Sequence, residues 1–558
     1  MEPEENRRGS AGRERGFFLV LLLLALAFTW IAMSPCLNNG FINWDETEYI
    51  IRNPRIKTLS FDSVKAIFSA KDLGMYSPLS TLTYALEYRF AGLNPRVYHA
   101  TSLFLHLANT ALVMILTRLL LAGVWEAFFI ALLFGIHPAH VESVAWAAER
   151  KDVLYSFFYL SALSIYSYRN DKAWSYLLSL SLFVCSLLSK PMAVTLPIML
   201  LLVDHLKPAK VKSWLPFGKI PFFVLSAAFA YALISPSSNA LGMHWAKRLI
   251  TPLYNMGFYV YTLLWPFNLS AMYVSPPGGK TVFYLFAAGA AAGIFLLWKR
   301  FRRDKEILFG AAFFTAALLP VLQFFPFGPV ISADRYTYLS SLGVFIAAAS
   351  CGRSVWRRLN PSHRQIMLIC AACAIIALAV TSRVRCAAWK NGVSLWSDTL
   401  KKQPRAAAAL INLCGAYVQE NNGEAAADCL ARAIKLYPEN DYGYYHLGLL
   451  AAGNGDYGKA QEYFAKTLKI SPCHAPALNN MGNIYLIKGE TEKAERYYTR
   501  SAHCNNAYST AYLNLGKLAL LRKNTPAAVL FYEKALAADP ADQEARARLN
   551  ALKKPQLR

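Results

Sequence analysis

Residues 17–34 read FFLVLLLLALAFTWIAMS, eighteen consecutive positions without a charge. A helix rises about 1.5 Å per residue, so a run of this length approaches the ~30 Å of a hydrocarbon core. Arg7, Arg8, Arg13 and Arg15 precede it and fit either a secretory leader or the inner flank of a retained span. The apolar stretch is long, no small-x-small cleavage site follows it, and apolar runs of 17–22 residues recur as far as residue 382. A retained first span of a polytopic, all-α membrane domain is therefore the reading.

The chain has 558 residues, 55% of them hydrophobic, and a mean hydropathy of +0.27. Its net charge of +24 is not gathered into a compact basic domain. The charge falls in loops between apolar segments, where it reports orientation and excludes nucleic acid as the partner. The positive-inside rule puts residues 1–16 in the cytoplasm and delivers 35–97 to the other face as the first extracytoplasmic loop. Further spans are expected near 98–121, 125–146, 152–168, 173–189, 191–206, 220–235, 282–298, 307–325, 339–352 and 366–382, about eleven in all. Lys207, Lys210, Lys212 and Lys219 then face the cytoplasm. Segment 253–270 is expected to be re-entrant or interfacial, because that reading keeps Lys299-Arg300-Phe301-Arg302-Arg303 and Arg353, Arg357 and Arg358 inside. Cys370 and Cys373 form a CxxC within an apolar span, and with no second pair beside them they are expected to be packing residues.

Residues 383–406 read as a linker, and beyond them the pattern changes in kind. Pro404, Pro438, Pro472 and Pro540 stand on one 34-residue ladder, with Asn506 on the missing rung. Ala426, Ala460, Ala494 and Ala528 keep the same period, as do Gly448, Gly482 and Gly516, with Cys414 in the first register position. Small residues let paired helices approach closely, and Pro ends the second helix. The pattern resembles the tetratricopeptide repeat (TPR). Four units fit, 407–440, 441–474, 475–508 and 509–542, followed by a polar, basic tail over 543–558. Stacked units make an α-solenoid with a concave groove. Cys414, Cys429, Cys473 and Cys504 lie in this region, and an oxidising compartment permits disulfides among them.

The chemistry-bearing residues belong to the apolar part. Asn43-Trp44-Asp45-Glu46-Thr47-Glu48-Tyr49 lies on the first outer loop. A carboxylate pair at the water–lipid boundary can meet a lipid-borne substrate and take a proton from an acceptor; the plainer reading is a solvated loop. His137, His140, Glu142, Glu149, Arg150 and Asp152 follow on one outer turn, more polar groups than helix anchoring requires. The spacing of His137, His140 and Glu142 does not match a helical ligand pair, and Pro138 interrupts the helix, so zinc is not expected. A loosely held divalent cation between Asp45, Glu46 and the second outer loop is the one metal role left open. Lys190 in Ser189-Lys190-Pro191 and Arg335 in Asp334-Arg335-Tyr336 suit a phosphate, Arg by its fork and Lys as a point charge; each alone also reads as a helix-end anchor. Several cations near two carboxylates suit a phosphorylated lipid whose phosphate is the leaving group.

These landmarks, in this order and with terminal repeats, resemble the multi-spanning GT-C glycosyltransferases, specifically the transmembrane-and-TPR proteins related to the animal protein O-mannosyltransferases and their bacterial relatives. The matching positions are Trp44-Asp45-Glu46, His137-Pro138-x-His140-x-Glu142 leading to Arg150-x-Asp152, Ser189-Lys190, and Asp334-Arg335-Tyr336-x-Tyr338-Leu339. The resemblance implies a polyprenyl-phosphate-linked sugar donor used on the extracytoplasmic side. Asp45 is then the general base for an acceptor hydroxyl, and a single displacement inverts the anomeric carbon. Glu46 tunes Asp45 or contacts the acceptor. Arg335, Lys190 and Arg150 bind the donor phosphate, with His137, His140, Glu142, Asp152, Asp334 and Tyr336 in support. The Asp-Glu pair stands where many relatives have Asp-Asp, so which carboxylate is the base stays open. The acceptor is a protein or a glycan, and the TPR groove would dock it. The implied site and repeats are periplasmic in a bacterial inner membrane, or luminal in an endoplasmic reticulum membrane. Two other classes fit parts of the pattern: a non-catalytic membrane scaffold recruiting envelope proteins through the repeats, and a transporter, which the absence of an evident inverted repeat disfavours.

Overall fold

The computed structural model describes residues 4–121, 123–168, 172–207, 218–233, 245–274, 279–324, 330–540 and 542–553. Among these the protein is all-α, with only two isolated bridges, Asp72–Met75 and Tyr273–Ser332, outside helices and loops. It divides into two compact units, Met1–Ala406 and Ala407–Arg558.

The first unit contains α1 Glu4–Met33, α2 Phe61–Ser69, α3 Pro78–Ala91, α4 Pro95–Leu121, α5 Val124–Ile136, α6 Val141–Ala145, α7 Arg150–Tyr168, α8 Ala173–Ser189, α9 Leu196–Leu206, α10 Ile220–Leu233, α11 Trp245–Leu264, α12 Gly279–Phe301, α13 Lys305–Leu318, α14 Thr337–Trp356, α15 Pro361–Ala388 and α16 Gly392–Lys402. Among the described residues, five stretches are long and apolar enough to cross a membrane: Gly12–Asn38, Pro95–Leu121, Thr281–Phe301, Asp334–Trp356 and Pro361–Ala388. A sixth arises if Val124–Ile136 and Pro138–Ala145, bent by 51°, count as one span. Ala173–Ser189, Pro191–Leu206 and Ile220–Tyr231 are apolar helices of 10–17 residues, shorter than a full span, so five or six of the eleven expected spans have full-length helices among the described residues. Segment 253–270 divides between the end of α11, which carries Pro252 inside it, and a following loop. Lys210 and Lys212 lie outside the described residues, whereas Lys219 pairs with Asp204 at 2.5 Å.

Small residues set the closest approaches. A Cβ on Gly310 of α13 would strike the carbonyl of Gly343 of α14, and the reverse also holds, so these two backbones touch. Gly135 of α5 admits Thr29 of α1 in the same way. On α15, Ile366, Leu368, Ile369, Ile376 and Val380 are exposed, as lipid-facing residues are. Cys370 and Cys373 are exposed on this helix too, which corrects their expected role as packing residues. The expected linker 383–406 is helical for most of its length. α15 continues to Ala388, and Asn391 and Ser394 form a reciprocal capping box that starts α16. Trp389 and Trp396 are wholly buried, which ties this segment into the first unit.

The second unit is a run of helical hairpins: α17 Ala407–Gln419 with α18 Gly423–Leu436, α19 Asp441–Gly453 with α20 Tyr457–Ile470, α21 Ala475–Ile487 with α22 Thr491–Cys504, and α23 Ser509–Leu521 with α24 Thr525–Ala538. Pro438, Pro472 and Pro540 each stand two residues beyond the second helix of a hairpin. A Cβ on Gly448, Gly482 or Gly516 would lie 2.6, 2.5 and 2.5 Å from the rings of Phe464, Tyr498 and Tyr532. These rings form a further series at the 34-residue period. Ala426, Ala460, Ala494 and Ala528 are fully buried. In the first hairpin Cys414 takes the glycine register and Leu430 the ring register, and Cys414 is disulfide-bonded to Cys429. A second disulfide joins Cys473 to Cys504. The expected basic tail is corrected in part: α25 Gln543–Lys553 buries Ala545 and Leu549 against α24, closing the last apolar face as a terminal cap does. Residues 554–558 lie outside the described residues.

Candidate active site

The loop after α1 leaves that helix through a short 3-10 turn, Ser34–Asn38, and is then pinned by aromatic packing. Trp44 stacks on Trp146 at 4.2 Å between centroids and meets Trp396 edge-on at 4.9 Å. Trp396 Nε1 donates to Asn43 Oδ1 at 2.9 Å, and the Tyr49 hydroxyl donates to the Asp72 carbonyl at 3.0 Å. The two carboxylates between these anchors have different environments. Glu46 is 1% exposed. One of its oxygens accepts the Ile42 N–H and the other the Ala147 N–H at 2.9 Å, joining the loop to the turn Ala147–Glu149. Burial raises its pKa to about 8, the backbone donors opposing only part of that shift. Asp45 is half-buried, and its carboxylate makes no hydrogen bond among the described residues. Burial raises its pKa as well; Lys151 and Arg335 pull it back, and Glu149 pushes it up.

Four cations surround this loop. Arg335 Nη1 lies 2.5 Å from Glu142 Oε1, and its backbone N–H donates to Glu142 Oε2 at 3.1 Å. Its guanidinium lies 5.5 Å from the Trp146 ring and 5.0 Å from the Tyr336 ring, with 13% of the side chain exposed. Lys190 Nζ sits 2.5 Å from Glu149 Oε1 and 2.6 Å from Asp152 Oδ1, and Ser143 donates to the other Asp152 oxygen at 3.0 Å. Lys151 Nζ stands 3.7 Å from Glu149 Oε2 and 4.1 Å from the centre of the Tyr49 ring. Burial alone would raise the Glu149 pKa, but Lys151 and Lys190 together hold it well below the usual carboxylate range. Arg150 is fully buried: it pairs with Glu87, donates to Thr83 at 3.1 Å and to the Tyr98 carbonyl at 2.7 Å, and lies against the Tyr84 ring. Pairing of this completeness is what makes buried charge tolerable.

Glu149, Lys151, Lys190 and Asp152 thus form one ion-paired group and Arg335 with Glu142 a second, while Asp45 is influenced by Lys151, Glu149 and Arg335 through the direction of its pKa. Arg150 turns toward Glu87 instead. His137 and His140 are wholly buried among rings and backbone acceptors: His137 Nε2 meets the Leu263 carbonyl at 3.0 Å, and His140 meets the Phe134 carbonyl at 2.8 Å and Ser341 Oγ at 3.0 Å. Asp334 accepts the Tyr273 hydroxyl at 2.7 Å. Lys151 lies between two residues singled out in the sequence, and Glu87 is the one carboxylate of α3. Among the described residues no group of three or more His, Cys, Asp or Glu side chains is arranged to hold a metal.

Comparison with known proteins follows this division. A family model described as tetratricopeptide repeat matches residues 416–475, 445–507 and 479–543. The protein O-mannosyl-transferase F38B6.6 of Caenorhabditis elegans is 23% identical over 477 residues, covering 78% of this chain and 65% of its own length. The chain is similar over most of its length to proteins named protein O-mannosyl-transferase. Human protein O-mannosyl-transferase TMTC1 is 24% identical over 437 residues, covering 67% of this chain and 49% of its own length. Human TMTC2 is 38% identical over 127 residues, 22% of this chain and 15% of its own length. The chain therefore spans about two thirds or less of the curated relatives it matches. A solved TPR protein of Thermus thermophilus, TTC0263, covers 32% of this chain and 94% of its own at 21% identity, with a TM-score of 0.26. The chain thus combines a tetratricopeptide-repeat unit with a first unit that holds several helices long and apolar enough to cross a membrane.

Proposed function

We propose that the first unit is a GT-C-type enzyme that transfers a sugar from a polyprenyl-phosphate carrier to a hydroxyl of a protein acceptor on the extracytoplasmic face. The relatives' names point to mannose as the sugar. The observation that carries this reading is Asp45: a half-buried carboxylate with no hydrogen bond of its own among the described residues, beside cations. A general base needs a free lone pair within reach of the acceptor proton and a pKa raised toward the working pH. Asp45 takes the acceptor proton, the acceptor oxygen attacks the anomeric carbon, and the bond from that carbon to the phosphate oxygen breaks with its electrons going to the phosphate. One displacement inverts the centre. Glu46, both of whose oxygens accept backbone N–H groups, positions the loop and is not the base.

Arg335, the partly exposed cation held by a single carboxylate, binds the donor phosphate. Lys190 and the enclosed Arg150 maintain the positive field behind it. The TPR groove docks an extended acceptor segment. The pairs Cys414–Cys429 and Cys473–Cys504 support an oxidising compartment for the repeats, the periplasm of a bacterial cell or the lumen of the endoplasmic reticulum. Mass spectrometry of envelope or secretory proteins from cells with and without the gene tests the proposal. Loss of one hexose mass from defined Ser or Thr residues is expected; unchanged glycosylation would refute it.

A further inference from the structure

We infer that Trp44 is the platform on which the sugar of the donor rests during transfer; this rests on the transfer reading above. Four indoles meet at the loop. Trp44 stacks on Trp146 at 4.2 Å with 13° between the ring planes, Trp146 stacks in turn on Trp389 at 5.8 Å, and Trp396 meets Trp44 edge-on. Trp146, Trp389 and Trp396 are wholly buried, whereas Trp44 keeps part of its surface open. The indole N–H of Trp44 has no hydrogen-bond partner among the described residues, whereas that of Trp396 is held by Asn43 at 2.9 Å. Core packing accounts for the three buried rings but leaves the open surface and the free donor of Trp44 unused.

The position suits a sugar. The donor sugar is bonded to the phosphate, and its anomeric carbon is attacked from the side away from that phosphate. The sugar ring therefore lies between the phosphate-binding cation and the base. Arg335 lies 5.5 Å from the centre of the Trp146 ring, Trp44 stacks on that ring, and Asp45 follows Trp44 in the chain. The indole pair thus runs along the interval that the sugar must occupy. One face of a pyranose presents C–H groups of slight positive charge, which suit the negative face of an indole, and a sugar hydroxyl can accept the free N–H. The stack fixes the plane of Trp44 before the donor arrives, so little freedom is lost when the sugar settles on it.

The test uses the purified full chain in lipid nanodiscs and two probes, polyprenyl-phosphate-linked mannose and the same polyprenyl monophosphate without sugar. Trp44→Leu is expected to weaken binding of the sugar-bearing carrier about tenfold and to leave the sugar-free carrier within about twofold, and Trp44→Phe to stay within about threefold for both. If Trp44→Leu does not fold, oxidative footprinting of the wild type decides: the sugar-bearing carrier should protect Trp44 and the sugar-free carrier should not. Equal weakening of both probes, no weakening of either, a raised KM for the acceptor peptide alone, or equal protection by both carriers would overturn the assignment of Trp44 and leave the transfer reading standing. A wild-type protein that binds neither carrier would overturn the transfer reading itself.

Discussion

The two units bury what holds them together in opposite ways. The repeat unit uses one apolar device again and again: a glycine under an aromatic ring together with a buried alanine, as at Gly482, Tyr498 and Ala494. The membrane unit uses each of its buried ion pairs once, as at Lys190 with Glu149 and Asp152 or Arg335 with Glu142. An apolar device fails by degrees when perturbed, because a ring can shift. A buried ion pair fails abruptly, because a charge left alone in low dielectric has no alternative partner.

That contrast can be broken by substitution. Lys190→Met should have the largest effect on stability, about 3–5 kcal/mol, because Glu149 and Asp152 are then left facing each other. Thermal unfolding of the membrane unit reports it, and a loss under about 1 kcal/mol would remove the contrast. Opening the Cys473–Cys504 disulfide by replacing both residues with Ser should cost the repeat unit about 2–4 kcal/mol. Proteolytic susceptibility of residues 473–504 would rise while the membrane helices stay protected. Gly482→Val drives a side chain into the Tyr498 ring and should cost about 1–3 kcal/mol. Adding Tyr498→Leu should recover part of this, since the first hairpin has Cys414 and Leu430 in the same two registers; no recovery would contradict the ring-over-glycine account.

The smallest effect sharpens the electrostatic half. Burial raises the Asp45 pKa, and a base works only when deprotonated, so transfer should rise with pH through a midpoint above the ordinary aspartate range. Lys151 is the strongest influence lowering that midpoint, so Lys151→Gln should shift the rising limb to higher pH. A shift to lower pH would contradict the placement of Lys151 beside Asp45.

The same contrast decides what could be read in advance. The repeat hairpins were legible because small residues and Pro recur every 34 positions, and the aromatic series was available at that period too. The first-span run and its basic flank likewise carried a membrane signal in composition alone. The ion pairs carried none. Glu142 and Arg335 are 193 residues apart, and nothing in either neighbourhood names the other. Polar density at 137–152 marked the region, yet it did not separate His137 and His140, which pack among rings, from Glu149 and Lys151, which are ion-paired. Nor did adjacency separate Asp45 from Glu46. Their difference arises because the turn at Ala147 presents its N–H to only one of them. The ends of the helical units were missed for a related reason: α16 and α25 are short amphipathic helices whose apolar side has meaning only against a folded neighbour.

The most direct test of the central claim is sugar transfer by the purified protein from a polyprenyl-phosphate-linked mannose to an acceptor peptide, comparing wild type with Asp45→Asn. The predicted result is a loss of about 10²–10⁴-fold in rate with donor binding unchanged. Transfer at the wild-type rate by Asp45→Asn would contradict the assignment of Asp45 as the base.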